Sequence, residues 1–490
     1  MSLRLIERIH EAAVRGGDRV AVRQVWPSGG QAISYRELSE SIHRVAEYLR
    51  RALPRDGVVL LSCSNRPAYL PAFLGVLEAG MAVFPVAPDL AAAELLDAAR
   101  RCGAAAMLSA GCADPLLGGA FAEAQSADVL GGEFILSHRP AWPARSDLGS
   151  AMLLLSSGTT GQPKIVVRDA KSLDAVAKNM AEAIGFTASD RVLAAVPLCH
   201  SYGVEHGLLA PLWAGCEVRL SDGFELSIAR RQLAHEGISI FPGVPFMYEM
   251  LCAGTDVISL PNIRRAYSAG APLPRQVFET AKGKLGIRVT QLYGATEIGS
   301  VTFNSPEDQT FDAASVGCAM ENVRIVILDP DDPKTDQPLA SGDEGHVAIC
   351  APSMMSGYLD SDESPIADGF FLSGDLGRLD EQGRLTITGR IKLLIDVGGR
   401  KVNPLEVEQA IQSHPAVGAC VVVPYQISQT LFRLKAIVTP AAPGVMPDVN
   451  ELREWARRQL SGYKIPRVFE VRATLPRSAA GKILRQMVEP

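Results

Sequence analysis

The sequence predicts an α/β multidomain protein: a large N-terminal domain of two stacked βαβ-type subdomains plus a β-rich subdomain, and a small α+β C-terminal domain. A chain of 490 residues is too long for one hydrophobic core. Short apolar runs alternate with amphipathic helical segments up to about residue 310, which is the rhythm of βαβ units. Beyond that point, short alternating segments between Asp-, Pro- and Gly-rich turns are typical of antiparallel strands.

The first subdomain opens with a capping box in Ser34-Tyr35-Arg36-Glu37. Apolar residues then recur on one helical face, at Leu38, Ile42, Val45, Ala46 and Leu49. The segments that follow predict strands at 58–61, 82–85 and 104–108, with helices at 66–79 and 92–101. The most apolar stretch, residues 67–87, contains Glu78 and two prolines, so it predicts a buried helix and a core strand instead of a membrane span.

The same alternation continues through the rest of the N-terminal domain. Strands are predicted at 151–155, 192–196, 217–220 and 239–241, so we expect a largely parallel sheet. In the β-rich part, strands are predicted at 324–328 and 346–350, and a hairpin at 378–388 around the turn 381–383. A glycine-containing stretch then places the main boundary at 389–392. The last hundred residues include an amphipathic helix through Leu452, Trp455, Ala456 and Leu460.

The composition excludes several classes of protein. A net charge of -6, with 47% apolar and 21% charged residues, gives no general attraction for polyanions, so no nucleic-acid partner is expected. Nine scattered cysteines without C-x-x-C spacing argue against a disulfide framework and favour a reducing compartment. Charged side chains recur through the first 20 residues, so no signal peptide is expected. We therefore expect a cytoplasmic protein without a membrane partner.

The most informative segment is Ser156-Ser157-Gly158-Thr159-Thr160-Gly161-Gln162-Pro163-Lys164, which directly follows the apolar run 151–155. Small residues let backbone N–H groups approach phosphate oxygens, while hydroxyls add donors and the lysine adds a cation. The segment therefore predicts a nucleotide triphosphate site. Its spacing does not match a Walker loop, and no G-x-G-x-x-G follows a strand elsewhere, which argues against P-loop NTPases and Rossmann dehydrogenases.

Four further segments carry groups that an adenylate site requires. Tyr293-Gly294-Ala295-Thr296-Glu297 combines a ring, a glycine bend, a hydroxyl and a carboxylate. Downstream come Ser373-Gly374-Asp375, Gly389-Arg390-Ile391-Lys392 and Pro476-Arg477-Ser478-Ala479-Ala480-Gly481-Lys482. With the phosphate loop, these segments resemble, in the right order over nearly the whole chain, the adenylate-forming superfamily of acyl-CoA synthetases, non-ribosomal adenylation domains and beetle luciferases. The chain is most similar to an aryl- or acyl-acid CoA ligase.

The resemblance implies that ATP and Mg²⁺ activate a carboxylic acid to an acyl-adenylate with release of pyrophosphate. The thiol of coenzyme A then attacks the activated carbonyl and AMP leaves. Neither half-reaction needs a protein nucleophile, so catalysis should rest on positioning and electrostatics. The implied domains are an N-terminal domain at 1–389, a hinge at 390–392 and a mobile C-terminal domain at 393–490.

The resemblance also implies how the nucleotide is held. The β- and γ-phosphates are assigned to Thr159, Thr160, Gly161 and Lys164. Thr296 would bond the α-phosphate, and Glu297 would hold Mg²⁺, a hard cation that takes one or two carboxylates with phosphate oxygens.

For the nucleoside, Tyr293 would stack on adenine, and the backbone of Gly270, Ala271 and Pro272 would line the base. Asp375 would accept hydrogen bonds from both ribose hydroxyls, with Arg390 supporting the sugar and the α-phosphate region.

The C-terminal residues are assigned by the same resemblance. Lys482 would bind the substrate carboxylate and the α-phosphate during adenylation, and would stabilise the anionic transition state. Lys392 would be the hinge about which the small domain rotates. Gly398 and Gly399 would let the pantetheine arm pass close to the backbone. Many relatives have aspartate right after the hinge, where this chain has Leu393-Leu394.

The acid pocket is expected around Pro197-Leu198-Cys199-His200-Ser201-Tyr202-Gly203, where His200 would flank the carboxylate or gate the cavity. Amino-acid-activating relatives have an aspartate near Ser201 to pair an α-ammonium group, and its absence disfavours an α-amino acid. The other expected pocket residues are mostly small and suggest a flat slot: Phe241, Gly243, Ala269, Gly294 and Ala295. A benzoate- or anthranilate-type aryl acid is the predicted substrate.

Three alternatives remain open from the sequence. A stand-alone adenylation enzyme that loads an acyl carrier protein would use the same residues. A medium-chain fatty acyl-CoA ligase would also have a glycine-lined channel. A catalytically silent scaffold of the same fold is disfavoured, because the key charged residues are all present: Glu297, Asp375, Arg390 and Lys482.

Overall fold

A computed structural model describes most of the chain. The described residues are 3–25, 30–88, 90, 92–110, 121–127, 134–140, 145–156, 164–253, 257–308, 311–359, 361, 364–393, 395–397, 401–428, 431–442, 444–460, 462–478 and 483–488. Contacts divide the chain into two compact units, Met1–Arg324 with Cys350–Phe371, and Ile325–Ile349 with Leu372–Pro490. The predicted hinge lies inside the second unit, so this division does not test the predicted domain limits.

The helices occur in both units, and a π-helical turn at Glu205–Leu209 joins α6 to α7. They are α1 (Arg4–Gly16), α2 (Tyr35–Ala52), α3 (Tyr69–Glu78), α4 (Ala92–Cys102), α5 (Ala170–Ile184), α6 (Ser201–Val204), α7 (Ala210–Ala214), α8 (Leu226–His235), α9 (Pro245–Cys252), α10 (Arg275–Lys284), α11 (Pro404–Gln412) and α12 (Val449–Gln459). The predicted capping box is formed: the Glu37 amide donates to Ser34 Oγ, and the Ser34 amide donates to the Glu37 carboxylate.

Most of the strands are short, and most of those predicted fall at the expected positions. They are β1 (Val20–Gln24), β2 (Ala32–Ser34), β3 (Val58–Ser62), β4 (Ala82–Val86), β5 (Ala104–Ala110), β6 (Phe121–Ala127), β7 (Phe134–Pro140), β8 (Ala151–Leu155), β9 (Ile165–Asp169), β10 (Arg191–Ala194), β11 (Glu217–Leu220), β12 (Ile240–Gly243), β13 (Arg265–Ser268), β14 (Val289–Gln291), β15 (Gly294–Ala295), β16 (Gly299–Ser300), β17 (Thr302–Phe303), β18 (Gly317–Ala319), β19 (Arg324–Leu328), β20 (Gly345–Cys350), β21 (Gly357–Tyr358), β22 (Ile366–Ala367), β23 (Phe370–Leu379), β24 (Arg384–Arg390), β25 (Ile395–Asp396), β26 (Lys401–Val402), β27 (Val417–Ser428), β28 (Leu431–Pro440) and β29 (Val468–Val471).

The first unit contains an eight-stranded sheet in the order β21-β9-β8-β4-β3-β5-β7-β6. Its centre is parallel, with β3 between β4 and β5, and β4 next to β8. These strands are continuously apolar because parallel strands are covered on both faces. The stretch 67–87 forms α3 and β4 as predicted. Across the described residues, no helix combines the length and apolarity that a membrane crossing requires.

A second sheet in the same unit has the order β14-β13-β12-β10-β11-β1-β2. It is parallel from β14 to β1, and only β2 runs antiparallel, which confirms the predicted largely parallel sheet. The strand β1, absent from the sequence prediction, joins β11 with Val22 opposite Val218.

The second unit contains β24, β23, β20 and β19 side by side, and the antiparallel pair β23–β24 confirms the predicted hairpin. Its C-terminal part has β28 between antiparallel β27 and parallel β29. Helices α11 and α12 pack on this small sheet through apolar residues that include Val407, Ile411, Leu452 and Ala456. Both unit architectures agree with the predicted fold class.

Asp190 is buried just before β10, at the amino edge of the second sheet. Its carboxylate accepts hydrogen bonds from the Thr187 amide (2.7 Å), from Ser239 Oγ (2.7 Å) and from Arg264 Nε (2.7 Å). Burial alone raises the pKa of Asp190, but the hydrogen bonds from Arg264, Ser239 and Thr187 outweigh it and lower the pKa to about 2. Because Ser239 precedes β12 and Arg264 precedes β13, one carboxylate holds three strand beginnings together.

We predict that Asp190→Asn lowers the free energy of unfolding of the first unit by about 2 kcal/mol at neutral pH. The folded pKa lies below the ordinary value of 3.8, so the stabilisation is complete above about pH 4 and is lost as the pH falls towards 2. Urea unfolding at a series of pH values measures this. The exposed Asp222→Asn serves as the control. A deficit that stays constant between pH 4 and pH 2 would contradict the assignment.

Candidate functional site

The carboxyl ends of β12, β13 and β14 meet at one edge of the second sheet, with Gly243, Ser268 and Gln291 in register. The predicted adenine segment, Gly270 to Pro272, follows β13 and is exposed. Tyr293 follows β14, so the two predicted adenine-binding segments leave adjacent strands at the same edge. Ligands of parallel α/β sheets bind outside the carboxyl ends of strands, which makes this edge a candidate site.

A tight hairpin carries the next predicted residues. Strands β15 and β16 pair antiparallel, with Gly294 opposite Ser300 and Ala295 opposite Gly299. A Cβ on Gly294 would lie 2.4 Å from the Gly299 carbonyl oxygen, so only glycine permits this approach. The Tyr293 amide donates to Thr302 Oγ1 (3.1 Å), which fixes the backbone that enters the hairpin.

The turn of this hairpin presents Thr296 and Glu297, both partly buried. The Glu297 carbonyl accepts a hydrogen bond from the Met355 amide (2.7 Å), and the Ile298 carbonyl accepts one from Ser353 Oγ (2.7 Å). The Ile298 side chain is fully buried. The backbone of the turn is therefore held in place from β16 and from the segment near residue 354.

Tyr358 brings Glu297 and Lys164 together. Its hydroxyl donates to Glu297 Oε1 (3.1 Å), and Lys164 Nζ lies 4.7 Å from the centre of its ring, a cation–π contact. The Ser156 amide donates to the Lys164 carbonyl (2.9 Å), so the two ends of the predicted phosphate loop are hydrogen-bonded. The lysine assigned to phosphates and the carboxylate assigned to Mg²⁺ thus share one neighbour, which sequence patterns gave no means to identify.

The residues present fit a magnesium–nucleotide complex. Tyr358 uses one of about four lone-pair sites on the Glu297 carboxylate, which leaves acceptor capacity for a cation. Mg²⁺ keeps several waters and binds through one or two carboxylates plus phosphate oxygens. In the described part of the chain, no group of three or more His, Cys, Asp or Glu side chains is arranged to hold a metal. The described residues therefore form no closed protein cage around a metal.

The predicted acid-pocket segment continues from β10 and is fixed by two residues from the first sheet region. Asn65 Nδ2 donates to the Val196 carbonyl (3.0 Å), and the Leu198 amide donates to Asn65 Oδ1 (2.9 Å). The Tyr69 hydroxyl donates to the Leu198 carbonyl (2.9 Å). His200 follows as the exposed residue at the start of α6. Asn65 and Tyr69 lie about 130 residues earlier, beyond the reach of local sequence patterns.

Several predicted pocket residues come together at the end of β12. The Tyr202 hydroxyl donates to the Gly243 carbonyl (3.0 Å), and the amide of buried Ala269 donates to the same oxygen (3.4 Å). A Cβ on Gly243 would lie 2.8 Å from the Tyr248 ring, so the position has no room for a side chain. Phe241, by contrast, points into the core, where its ring packs against Tyr248 with 5.3 Å between centroids.

Buried polar residues lie beneath this segment. Ser201 Oγ donates to Glu205 Oε1 (2.8 Å). His206 contacts the Tyr267 hydroxyl (3.0 Å) through Nδ1 and Ser300 Oγ (2.9 Å) through Nε2. Burial lowers the pKa of His206 to about 3, so the ring is neutral at physiological pH. Glu205 and His206 were not identified from the sequence, because no local pattern distinguishes polar residues that lie within an apolar run.

In the second unit, the predicted ribose residues face each other across the β23–β24 hairpin. Asp375 is opposite Arg390 in register, and Arg390 Nε lies 2.6 Å from Asp375 Oδ1. Gly374, at a φ of +73°, donates its amide to His346 Nε2 (2.9 Å), which requires that this nitrogen be unprotonated. Burial lowers the pKa of His346, and the nearby Asp375 partly offsets this. His346 therefore supports the backbone beside Asp375, the carboxylate predicted to bind the ribose.

The hinge region adjoins a capped helix. Lys392 lies in a 3₁₀ turn, Ile391–Leu393, directly after β24. Asn403 Nδ2 donates to the Thr388 carbonyl (2.6 Å), and Asn403 Oδ1 accepts from the Leu405 amide (3.0 Å), which caps α11. A Cβ on Gly389 would lie 2.2 Å from Asn403 Nδ2, so glycine is required there.

The remaining predicted residues lie outside the described part of the chain: Thr159, Thr160, Gly161, Gly398, Gly399 and Lys482. The chain on both sides of Lys482 is fixed. Arg477 and Ile483 form an antiparallel bridge. Arg485 forms an ion pair with buried Glu408 and donates to the Val422 carbonyl (3.2 Å). The roles assigned to all of the site residues stay predictions.

Comparison with known proteins identifies relatives along the whole chain. Residues 9–359 match the family model of the AMP-binding enzyme, and residues 406–482 match that of the AMP-binding enzyme C-terminal domain. A feruloyl-CoA synthase of Amycolatopsis sp is 29% identical over 476 residues, which cover 93% of each chain.

Among solved structures, ATP-bound MatB from Rhodopseudomonas palustris is 24% identical, with a TM-score of 0.86 over 100% of this chain and 98% of that one. The o-succinylbenzoate CoA synthetase of Bacillus subtilis, in complex with the acyl-adenylate OSB-AMP, is 25% identical. Its TM-score is 0.83 over 99% of this chain and 98% of that one. The same synthetase has also been solved with ATP and a magnesium ion.

We predict that Tyr358→Phe raises the Mg²⁺ concentration needed for half-maximal ATP–pyrophosphate exchange by about fivefold, equivalent to one lost hydrogen bond of about 1 kcal/mol. The ring beneath Lys164 is kept, whereas the hydroxyl that orients Glu297 is removed. Magnesium titration at saturating ATP measures the effect, with Tyr48→Phe on α2 as the control. An unchanged magnesium requirement would show that Tyr358 does not orient the carboxylate.

Proposed function

This chain belongs to the AMP-binding enzyme family, and we propose that it converts an aryl carboxylic acid of benzoate or anthranilate type to its coenzyme A thioester. It is an AMP-forming acid–CoA ligase, with ATP, Mg²⁺ and coenzyme A as the implied cofactor and co-substrates. The aryl substrate and the individual residue roles are the proposal.

In the proposed first step, a carboxylate oxygen attacks the α-phosphorus of ATP, and the bond to the pyrophosphate oxygen breaks. Lys164 would hold the departing phosphates, while Thr296 and Glu297 would lie at the α-phosphate. When bound through Glu297, Mg²⁺ would neutralise phosphate charge. Because no covalent bond to the protein forms, the fixed turn and the cations supply the catalysis by orientation and charge stabilisation.

In the second step, the thiol sulfur of coenzyme A attacks the acyl carbonyl, the thiol proton is released, and AMP leaves with the bridging oxygen. Asp375 would hold the ribose, supported by Arg390, with which it is paired at 2.6 Å. Lys392 would serve as the hinge between the two steps. An acyl carrier protein as acceptor would use the same residues, so the acceptor is decided by experiment.

One observation argues against an α-amino acid as the substrate. The buried carboxylate that follows Ser201, Glu205, is already bonded to Arg168, Ser201 and Ser300. It is therefore not available to pair an α-ammonium group, and an unpaired buried charge is costly. The Tyr202 hydroxyl and the amide of the small residue Ala269 both bond to the Gly243 carbonyl, and this combination of one aromatic and two small residues favours a flat acid. Feruloyl-CoA synthase and o-succinylbenzoate CoA synthetase, both similar to this chain, are named for acids that carry an aromatic ring.

The test is acid-dependent pyrophosphate release with ATP and Mg²⁺, with and without coenzyme A. Comparing the rates with benzoate and cyclohexanecarboxylate tests whether the site prefers a flat ring. Comparing the rates with 3-phenylpropanoate and phenylalanine tests whether the site accepts an α-ammonium group. We expect benzoate to exceed cyclohexanecarboxylate by about tenfold in kcat/KM, and phenylalanine to be at least about 100-fold poorer than 3-phenylpropanoate. Equal rates with benzoate and cyclohexanecarboxylate would overturn the aryl proposal, and equal rates with 3-phenylpropanoate and phenylalanine would overturn the exclusion of α-amino acids. Octanoate as the best acid would select a medium-chain ligase. Exchange without coenzyme A turnover would select a carrier-protein acceptor.

We further predict that Lys482→Ala slows adenylation at least about 100-fold, because the cation at the anionic transition state is lost. Thioester formation from supplied acyl-adenylate should stay within about threefold of wild type.

Lys392→Pro should have the opposite effect, because a fixed φ stiffens the hinge. Adenylation should stay within about threefold of wild type, and thioester formation should be slowed at least about 100-fold. Single-turnover assays of each half-reaction separate the two, with exposed Lys282→Ala as the control. Equal loss in both half-reactions would remove Lys482 from this role.

A further inference from the structure

Arg168 at the end of β9 and Glu205 at the start of the π-helical turn form an ion pair that is almost completely buried. Arg168 Nη1 lies 3.3 Å from Glu205 Oε1, and the two side chains are 0% and 1% exposed. Desolvating two charges is expensive, and a well-packed apolar pair is often equally stable. Burial lowers the pKa of Arg168, while Glu205 opposes that shift. Stability alone is therefore a weak reason for this pair.

The contacts of Glu205 connect two parts of the candidate site. Oε1 accepts a hydrogen bond from Ser201 Oγ (2.8 Å), on the helix that follows His200. Oε2 accepts from the amide (3.1 Å) and the hydroxyl (2.9 Å) of Ser300, on the second strand of the hairpin. One carboxylate thus joins the acid-pocket helix to the hairpin that carries the predicted magnesium ligand.

Arg168 holds the other side of the same turn. Its Nη1 donates to the Thr296 carbonyl (3.3 Å), directly before Glu297, and its Nε donates to Ser172 Oγ (2.8 Å) on α5. Gly299, at a φ of +67°, passes so close that a Cβ would lie 2.9 Å from Arg168 Nη2 and 3.1 Å from Glu205 Oε1. The ion pair and the hairpin therefore fit each other without room for a side chain.

We propose that Arg168 and Glu205 are positioning residues that hold the Thr296–Glu297 turn at the orientation required for magnesium and the α-phosphate, in fixed relation to the acid-pocket helix. The assignment rests on the proposed roles of Thr296 and Glu297. A buried pair at the amino edge of the second sheet, Asp190 with Arg264, supplies a contrast, because it ties strand beginnings together and contacts none of the predicted site residues that the structure describes.

The test uses the full chain with Arg168→Met combined with Glu205→Leu, which removes both charges and leaves no single buried ion. The control combines Arg264→Met with Asp190→Leu. Binding of α,β-methylene-ATP is measured by calorimetry, with MgCl₂ and with EDTA. The Arg168→Met/Glu205→Leu variant (the site pair) should bind the analogue about tenfold more weakly than wild type in MgCl₂ and nearly as well as wild type in EDTA. The Arg264→Met/Asp190→Leu variant (the control pair) should bind as wild type does, at a temperature where both variants are folded.

Kinetics with the best acid of the panel supply a second readout. The site pair should lower kcat by about 100-fold, as expected when a reacting group moves by about 1 Å, whereas the control pair should only lower the melting temperature. Wild-type binding and kcat in the site pair would overturn the proposal, as would equal weakening in the control pair. If the wild type binds the ATP analogue but activates no acid, the proposed function fails while the positioning role is still decided by the binding data.

Discussion

Parallel pairing of β12, β13 and β14 brings Gly243, Ser268 and Gln291 into register, so the segments that follow these strands must leave the sheet side by side. Residues from three separate stretches of sequence are thereby collected at one edge. The hairpin after β14 projects from that edge, and its turn carries Thr296 and Glu297. Contacts from Ser353 and Met355 hold the backbone of this turn, and Tyr358 brings Lys164 close to Glu297.

Close approach of backbones is the second requirement at this edge. Gly243 lies against the Tyr248 ring, Gly294 against the opposite strand, and Gly299 against the buried Arg168–Glu205 pair. In each case a Cβ would lie within about 3 Å of another atom, where a methyl group cannot be accommodated. These glycines keep α6, the hairpin and β9 close together, and their small size follows from packing.

Three buried ion pairs in the described part of the chain connect separate segments. Asp190 with Arg264 joins strand beginnings, Arg168 with Glu205 joins the acid-pocket helix to the hairpin, and Glu408 with Arg485 ties the C-terminal residues to α11. Such pairs favour one arrangement of the segments that they join, because separating a buried ion from its partner in a low-dielectric interior costs several kcal/mol of free energy. Each pair therefore restricts the relative position of the elements that it joins.

Local features of the sequence determined a large part of the fold. The capping box fixed the start of α2, apolar runs located β3, β4 and β8, and the turn at 381–383 defined the hairpin that sets Asp375 opposite Arg390. The order of the motifs identified the family, and the residue types indicated ATP and Mg²⁺. These inferences succeed because capping, periodicity and turn chemistry act over a few residues.

Tertiary structure decided which distant residues support the site. Tyr358 reaches Glu297 across 61 positions, Arg168 reaches Glu205 across 37, and Asn65 reaches Val196 across 131. The pairing of β1 with β11 likewise joins residues almost 200 positions apart. No local pattern encodes such contacts, because each depends on how whole sheets and helices pack, and a single polar side chain acquires its partner only when that packing is complete.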